Sequence, residues 1–512
     1  MLFSSWNFMV YFLPVSVVVF YLIPAPLRTA RKLWLIAASL FFYGYWKIEY
    51  VPLLLLSIAF NYAIAEGISR FPDKSRMLLI TGVSLNLLLL GYFKYTNFAV
   101  HFLSHLAQRD LGHFNIILPL AISFFTFTQI SYIVDVYRDR TAHYRFLDYG
   151  LFVVLFPHLI AGPIVRHWEI IPQFIDRELK ASRENFGVGI TLFLFGLFKK
   201  FIADQVSVYA DDVYDGARDH LALSSFDAWI GTVAFALQIY FDFSAYSDMA
   251  IGLARMFGVK FPSNFDSPYR ATSVIVFWER WHRTLTRFLR EYVYYSLGGN
   301  RRGHFRQILN ILATMLLSGL WHGAGWTYII WGGLHGVFLV VNHQWRLWVK
   351  QMNWTLDRWF HRAAGVLVTF IAVSFAWTFF RAPNTTVAGT MLSSMLGLHG
   401  MSLPDEFFAH GGFRDKFLAP LGFHFINTEA LQIKHYENAL GTIAALLLVC
   451  WASPNTQQLL SKYDPILEPV TRQPWFHLKL GLWLGLVFGF LAYLILRNSY
   501  VSEPNPFIYF NF

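Results

Sequence analysis

Long apolar runs follow one another along the chain, and short polar segments that are mostly basic separate them. The runs contain too little alternation for the strands of a membrane barrel and are typical of helices that cross a bilayer. The pattern therefore predicts an all-α polytopic membrane protein with roughly eleven or twelve crossings. The apolar runs cover residues 8–23, 33–46, 51–64, 77–93, 116–134, 186–202, 229–243, 308–320, 328–341, 363–380, 440–451 and 478–496.

Three segments depart from this rhythm. Residues 151–165 form a short run that proline and glycine interrupt, which predicts a re-entrant or broken helix. Residues 259–306 are polar, basic and aromatic, and we interpret them as amphipathic helices on the cytoplasmic surface. Residues 381–437 contain no convincing span, which predicts a cap on the outer face.

The composition agrees with a membrane protein and narrows its chemistry. Of 512 residues, 56% are hydrophobic and only 14% are charged, whereas a soluble domain carries about 25% charged residues. The single cysteine, Cys450, lies in an apolar run, so we expect no disulfide within the chain and no metal site. The net charge of +10 reflects topology, and we expect no nucleic acid partner.

The basic loops alternate with weakly charged ones over the first five runs. Because basic loops stay in the cytoplasm, the alternation predicts a periplasmic N-terminus. The acidic segment 204–219 then lies on the outer face.

One motif places a histidine between two apolar runs. In Ser318-Gly-Leu-Trp-His-Gly-Ala-Gly-Trp326, tryptophans and glycines flank His322. Imidazole exchanges protons near neutral pH, and a full charge near the bilayer centre costs roughly 2.5 kcal/mol or more. His322 is therefore a candidate functional residue; the alternative is a hydrogen-bonded histidine in a helix bundle, with glycines for packing.

A second histidine, His282, lies in the basic and aromatic segment. Arginine forks suit phosphates, so this region predicts a cytoplasmic mouth for a phosphate-bearing donor. Contact with anionic lipid headgroups explains each arginine equally well. The arginines expected to bind the donor are Arg280, Arg283, Arg301 and Arg302.

A third polar group, Asp242, Tyr246 and Asp248, follows the run 229–243. These side chains could support a histidine or line a wet tunnel, or they could cap helix ends and pair with arginines. The sequence contains no Walker loop, dinucleotide fingerprint or Gly-x-Ser-x-Gly elbow. An enzyme of this sequence would therefore rely on histidine and on backbone dipoles.

These motifs together resemble the membrane-bound O-acyltransferase family, at the branch that includes bacterial alginate O-acetylation proteins. The contexts Trp281-His282 and Trp321-His322 carry most of the resemblance, and Glu279 stands where the family pattern has an arginine. The matching stretches are residues 118–127, 131–138, 156–163, 240–249, 277–303, 319–336 and 506–512.

The resemblance implies a ring of membrane helices around a central tunnel, with re-entrant and amphipathic cytoplasmic helices. It implies that His322 is the catalytic histidine and His282 the second one of the site. Trp321 and Trp326 would line the acyl pocket. A single domain, 1–512, would comprise N-terminal spans (1–140), a catalytic core (141–346) and C-terminal spans (347–512) with the cap 381–437.

The expected function is acetyl transfer across the bacterial inner membrane for O-acetylation of an exported polysaccharide such as alginate. The donor would be acetyl-CoA, bound as a substrate, with no tightly bound cofactor. Partners would be periplasmic or membrane-anchored acetyltransferases and membrane lipids. Alternatives are peptidoglycan O-acetylation, teichoic acid D-alanylation, or a transporter that moves a lipid or glycan without chemistry.

The predicted topology can be tested with single cysteines in a background lacking Cys450. Cysteines placed in segments 70–76 and 280–306 should resist an impermeant thiol reagent in intact cells, since both segments are expected inside. A cysteine placed between Asp211 and Asp219 is the matched control and should react. Ready labelling of segment 70–76 would contradict the topology.

Overall fold

The part of the chain that the structure describes is mostly helical, as its apolar runs predict. A computed structural model describes residues 1–139, 144–176, 178–221, 223–398, 400–405, 418–427, 431–433, 436–470, 474–501 and 505–508. The N-terminal half contains α1 (Leu13–Leu22), α2 (Arg28–Gly44), α3 (Val51–Arg70), α4 (Ser75–Ala107), α5 (Ile122–Asp139), α6 (Phe146–Val154), α7 (Phe156–Leu159), α8 (His167–Ile175), α9 (Arg183–Arg218) and α10 (Ser225–Met256).

In the C-terminal half, the described residues form helices joined by loops, and two short strands. Its helices are α11 (Val274–Arg280), α12 (Arg283–Phe288), α13 (His304–His322), α14 (Trp326–Gln351), α15 (Trp359–Arg381), α16 (Thr385–Met395), α17 (Tyr436–Ala452), α18 (Thr456–Leu459) and α19 (Leu482–Val501). The strands β1 (Met401–Pro404) and β2 (Phe423–Ile426) pair in parallel.

The predicted fold class, an all-α polytopic membrane protein, is confirmed. Among the described residues, four helical stretches are long and apolar enough to cross a membrane: Ile48–Arg70, Pro72–Ala107, Arg183–Arg218 and Trp359–Arg381. The other runs predicted as crossings lie largely in helices, and Asn7–Leu22, Tyr436–Ala452 and Leu484–Ile495 are shorter apolar helices.

The interruption predicted in residues 151–165 is present. Helix α6 stops before Leu155, α7 lasts only one turn, and residues 160–166 are non-helical. Pro157 cannot donate a backbone hydrogen bond, which explains the break. The whole stretch from 151 to 166 is buried.

Helix α10 is the centre of the molecule, since every residue from 234 to 256 except Gln238 is buried. It packs against α9 along a seam of small residues, in which Gly189 and Gly252 face each other. Two ion pairs join these helices: Lys199 Nζ lies 2.5 Å from Asp248 Oδ2, and Lys200 Nζ lies 2.9 Å from Asp242 Oδ1.

Helix α4 is fixed to α3 and α5 by a buried amide network. Asn61 donates to Asn86 at 3.2 Å and to Gln129 at 3.0 Å, and Asn86 donates back to Asn61 at 2.6 Å. Interhelical amide bonds of this kind hold membrane helices together. They set the position of α4 next to the α13–α14 hairpin.

Glycines allow α13 and α14 to pack with almost no space between their backbones. A methyl group added to Gly319 would overlap the carbonyl oxygen of Tyr328, and one added to Gly332 would overlap that of Met315. Small residues at such contacts are typical of close helix pairs in membranes. The glycines of the histidine motif therefore have a packing role.

The prediction that residues 259–306 lie on the membrane surface is wrong for most of the segment. Trp278, Trp281 and His282 are buried, with exposed fractions of 5%, 1% and 0%. The Trp281 ring packs against Trp377 of α15 at 5.0 Å and Phe265 at 5.1 Å. The aromatic residues that suggested an interfacial anchor instead place the segment inside the protein.

The close α13–α14 contact predicts different effects for two neighbouring glycines. Gly332→Ala should destabilise the protein by about 1–3 kcal/mol, since the added methyl has no room. Gly333→Ala is the matched control, because its methyl would lie 3.5 Å from the Leu316 side chain, an ordinary contact. Thermal unfolding of the purified variants measures the difference, and equal midpoints for the two would contradict it.

Candidate active site

His322 is the last residue of α13 and lies in an aromatic cage. Its side chain is 3% exposed. The imidazole packs edge-on against Trp321 at 4.8 Å, Trp331 at 5.0 Å and Phe380 at 5.3 Å between ring centroids. Gly323 follows in extended conformation, and a side chain there would overlap the Tyr328 ring.

His282 lies in the turn between α11 and α12 and is fully buried. Its φ is 42°, in the left-handed region, which costs a non-glycine residue about 1–3 kcal/mol. The backbone N–H of the next residue, Arg283, donates to the Asn264 carbonyl at 3.0 Å, which holds the turn in place. Backbone strain of this kind is frequent where a side chain must be aimed.

The amide of Asn264 orients the His282 ring. Asn264 Oδ1 accepts from Thr284 Oγ1 at 2.6 Å and lies 3.3 Å from His282 Nδ1. Because an amide oxygen only accepts, this contact puts the imidazole proton on Nδ1. The lone pair is then on Nε2, where a proton acceptor needs it.

One indole connects the two histidines. The Trp321 ring lies 4.8 Å from His322 and 6.4 Å from His282 between centroids. Phe127 of α5 stacks on the same indole at 5.1 Å. The structure thus brings both predicted histidines and Trp321 together, from two separate parts of the chain.

Trp326, the other tryptophan predicted for the acyl pocket, lies elsewhere. It is 50% exposed and packs against Phe98 and Phe102 of α4 at 5.8 Å and 5.9 Å. Trp326 begins α14 on the side that faces α4, and its role in the acyl pocket stays a prediction. Trp331 and Phe380 take the places around the imidazole.

Sequence reasoning missed His335, a third buried histidine. It lies one helical turn after Trp331, with ring centroids 4.8 Å apart. Its Nδ1 accepts from Trp278 Nε1 at 3.3 Å. The argument that singled out His322, an ionisable residue in an apolar run, applies equally to His335 and would have found it.

Sequence reasoning also missed Lys94, which directly follows the fourth apolar run and lies within α4. Its ammonium donates to the carbonyl of Trp321 and, at 3.3 Å, to that of His322. An ionisable side chain at the end of an apolar run was the available signal.

The four predicted donor arginines do not form one cluster. Arg283 lines a polar cavity together with Ser263, Asp266, Asn455 and Gln457. Arg280 is half-buried on the same segment, and its carbonyl accepts from the backbone of Asp266 at 3.0 Å. Arg301 and Arg302 are exposed, just before the first residue of α13.

Two other arginines are committed to structural ion pairs. Arg287 holds Glu169 through two bonds of 2.6 Å and 3.0 Å. Arg166 bonds to Glu291 at 2.6 Å. These pairs fix the interrupted helix, through α8, to the segment that carries His282.

The predicted carboxylates lie among helix-fixing contacts. Asp242 is paired with Lys200, and Asp248 accepts from Thr456 at 2.8 Å and Gln457 at 2.7 Å as well as from Lys199. Tyr246 packs between Phe3 at 4.8 Å and Phe507 at 5.0 Å. A role in lining a tunnel stays a prediction.

The arrangement suits chemistry on an acyl group. A buried neutral imidazole can accept the proton of a hydroxyl or attack a carbonyl. The aromatic rings around His322 exclude water, which protects an activated acyl group from hydrolysis. The second imidazole, that of His282, has its proton on Nδ1 and lies 6.4 Å from the Trp321 ring.

Comparison with known proteins gives one consistent result. Residues 136–381 match the family model of MBOAT, the membrane-bound O-acyltransferase family. The chain is 41% identical over 434 residues to a peptidoglycan O-acetyltransferase of Helicobacter pylori, which covers 79% of this chain and 81% of that protein. It is 41% identical over 419 residues to a probable alginate O-acetylase AlgI of Azotobacter vinelandii, covering 79% and 80%.

A more distant relative is a teichoic acid D-alanyltransferase of Bacillus subtilis, 27% identical over 54% of this chain and 72% of that protein. The matched region 136–381 contains both His282 and His322 with the helices that position them. The resemblance seen in the sequence is confirmed: the chain belongs to the membrane-bound O-acyltransferase family.

Proposed function

We propose that this enzyme transfers an acetyl group from cytoplasmic acetyl-CoA across the bacterial inner membrane, for O-acetylation of an exported polysaccharide such as alginate. The observation that carries the proposal is the buried His322 in its aromatic cage, inside a family whose members transfer acyl groups. Relatives named for alginate and peptidoglycan O-acetylation support an acetyl group and a polysaccharide acceptor.

The chemistry needs a base or a nucleophile at the thioester carbonyl. His322 either takes the proton of the incoming hydroxyl or attacks the carbonyl and holds the acetyl group. In both routes the C–S bond breaks, the thiolate leaves, and the proton released by the hydroxyl neutralises it. His282, with its proton on Nδ1, offers Nε2 as a second proton acceptor near the reaction.

The donor would enter from the side that carries the arginines. Arg283 lines the polar cavity next to the His282 turn, where it would meet a phosphate. Arg301 and Arg302 precede α13, whose 19 residues span about 28 Å at ~1.5 Å per residue. His322 ends that helix, so an extended donor would run along α13, with its thioester at the His322 end and a phosphate near Arg301 and Arg302 at the other end.

Peptidoglycan O-acetylation is the second candidate, because the identity to the Helicobacter pylori enzyme is as high as that to the alginate proteins. Teichoic acid D-alanylation has weaker support, from a relative matched over 54% of the chain. Cells without the gene, complemented with it, distinguish these acceptors. We expect acetyl groups to return to an exported polysaccharide, and acetylated muropeptides alone would favour the second candidate.

The proposal includes a location and partners. Inner-membrane insertion with a periplasmic N-terminus places the arginines in the cytoplasm, where acetyl-CoA is made. Periplasmic or membrane-anchored acetyltransferases would receive the acetyl group, and membrane lipids would surround the apolar helices. The acyltransferase names of the relatives argue against a non-catalytic transporter.

His322→Ala should abolish acetyl transfer while the protein remains folded. We expect a loss of at least about 100-fold, the usual contribution of a proton-transferring group. Release of labelled acetyl groups from acetyl-CoA by purified protein measures the effect, and the exposed His101→Ala is the control. Transfer near the wild-type rate by well-folded His322→Ala protein would contradict the catalytic assignment.

The arginines and His282 should affect different kinetic constants. Arg283→Gln, or Arg301→Gln with Arg302→Gln, should raise KM for acetyl-CoA about tenfold, because a charged hydrogen bond to a phosphate, which binds ground and transition states alike, is lost. His282→Ala should mainly lower kcat. Arg218→Gln, at an exposed position near the end of α9, is the control.

If the arginines instead contact lipid headgroups, the glutamine variants would change insertion or stability and leave KM unaltered. An unchanged KM in stable variants would therefore reject the donor site. It would leave the assignment of His322 intact, since that rests on separate observations.

A further inference from the structure

We propose that Lys94 is a positioning residue for His322: with Tyr95, it caps the end of α13 and fixes the histidine in its cage. The inference rests on the proposed catalytic role of His322. It concerns α4, which lies outside the region matched by the family model, residues 136–381.

The need for a cap follows from helix geometry. The last four carbonyl groups of an α-helix have no partner within the helix. In α13 these belong to Gly319, Leu320, Trp321 and His322. Trp321 and His322 are 6% and 3% exposed, so water does not provide the missing hydrogen bonds, and unpaired carbonyls in such a place are costly.

Helix α4 supplies three of the four missing partners. Tyr95 Oη donates to the Leu320 carbonyl at 2.7 Å. Lys94 Nζ donates to the Trp321 carbonyl and, at 3.3 Å, to the His322 carbonyl. The Gly319 carbonyl accepts from the backbone of Gly323 at 3.4 Å, so all four groups are satisfied.

The positive charge of Lys94 is compensated by the C-terminal end of α13 itself. The C-terminus of an α-helix carries a partial negative charge of about half a unit, which attracts a cation. Lys199 and Lys200 face carboxylates, whereas the hydrogen bonds of Lys94 in the described residues go to backbone carbonyls. The Lys94 ammonium also lies 5.9 Å from the centroid of the Trp321 ring.

The bonds bear directly on His322 because they hold its own backbone and that of Trp321. The amide network of Asn86 anchors α4 to α3 and α5. The helix that carries Lys94 and Tyr95 is therefore held in place independently of the α13–α14 hairpin. Loss of the ammonium would let the last turn of α13 fray and would move the imidazole. A small misplacement of a reacting group is enough to slow a reaction strongly.

The test compares Lys94→Met, Lys94→Arg and Tyr95→Phe with Thr96→Val, whose hydroxyl bonds to its own helix at Tyr92. We expect Lys94→Met to lower kcat about tenfold or more, as misplacement of a reacting group does, with KM for acetyl-CoA unchanged. Lys94→Arg should restore part of the loss, because it retains a cationic donor. Thr96→Val should match wild type.

Hydrogen–deuterium exchange of the purified protein supplies the structural readout. In Lys94→Met, the amides of residues 319–323 should exchange faster, while the rest of α13 keeps its protection. Wild-type kcat in Lys94→Met, or a loss of kcat without faster exchange at 319–323, would overturn the inference. So would a failure of Lys94→Arg to exceed Lys94→Met in kcat.

The same assay separates this inference from the proposed function. His322→Ala is measured alongside, and its activity decides whether His322 is catalytic. An inactive His322→Ala together with a fully active Lys94→Met rejects the cap alone. An active His322→Ala protein rejects the catalytic role of His322 and, with it, the positioning role of Lys94.

Discussion

A helix that ends inside a protein, away from water, leaves carbonyl groups that something else must satisfy. In this enzyme the end is that of α13, and the residue at the end is His322. The donors that satisfy these carbonyl groups are side chains of α4. Helix α4 is itself held in place by buried amides that link it to α3 and α5. The carbonyl groups that need partners thus lie at the same helix end as the proposed catalytic histidine.

Other contacts in the core position the groups around His322 and His282. Glycines bring α13 and α14 together, which places Trp331 against the imidazole. Helix α15 contributes Phe380, and the strained turn before α12 brings the His282 ring to 6.4 Å from the Trp321 ring. The ion pairs of Arg287 and Arg166 hold that turn to the interrupted helix. Apart from the α13–α14 pair, these contacts join segments that are far apart in the sequence.

Sequence reasoning found what depends on local pattern. Apolar runs located the helices, Pro157 located the break in α6–α7, and the rarity of ionisable residues in such runs located His322. It failed where burial depends on partners: the aromatic residues of 259–306 gave the same pattern as an interfacial anchor, but they pack inside against α15. Trp326 and Lys94 show the same limit, since the neighbours of a helix end cannot be derived from its own sequence. The pair β1–β2 was missed because each strand has only four residues.

The most direct test of the account is transfer across a sealed membrane. Protein is reconstituted in one orientation in vesicles, labelled acetyl-CoA is supplied on one face only, and acetylated acceptor is measured on the other face. The account predicts transfer when the donor is on the face that carries Arg301 and Arg302, with none from the opposite face and none in His322→Ala protein. Transfer from the opposite face, or transfer that persists without His322, would contradict it.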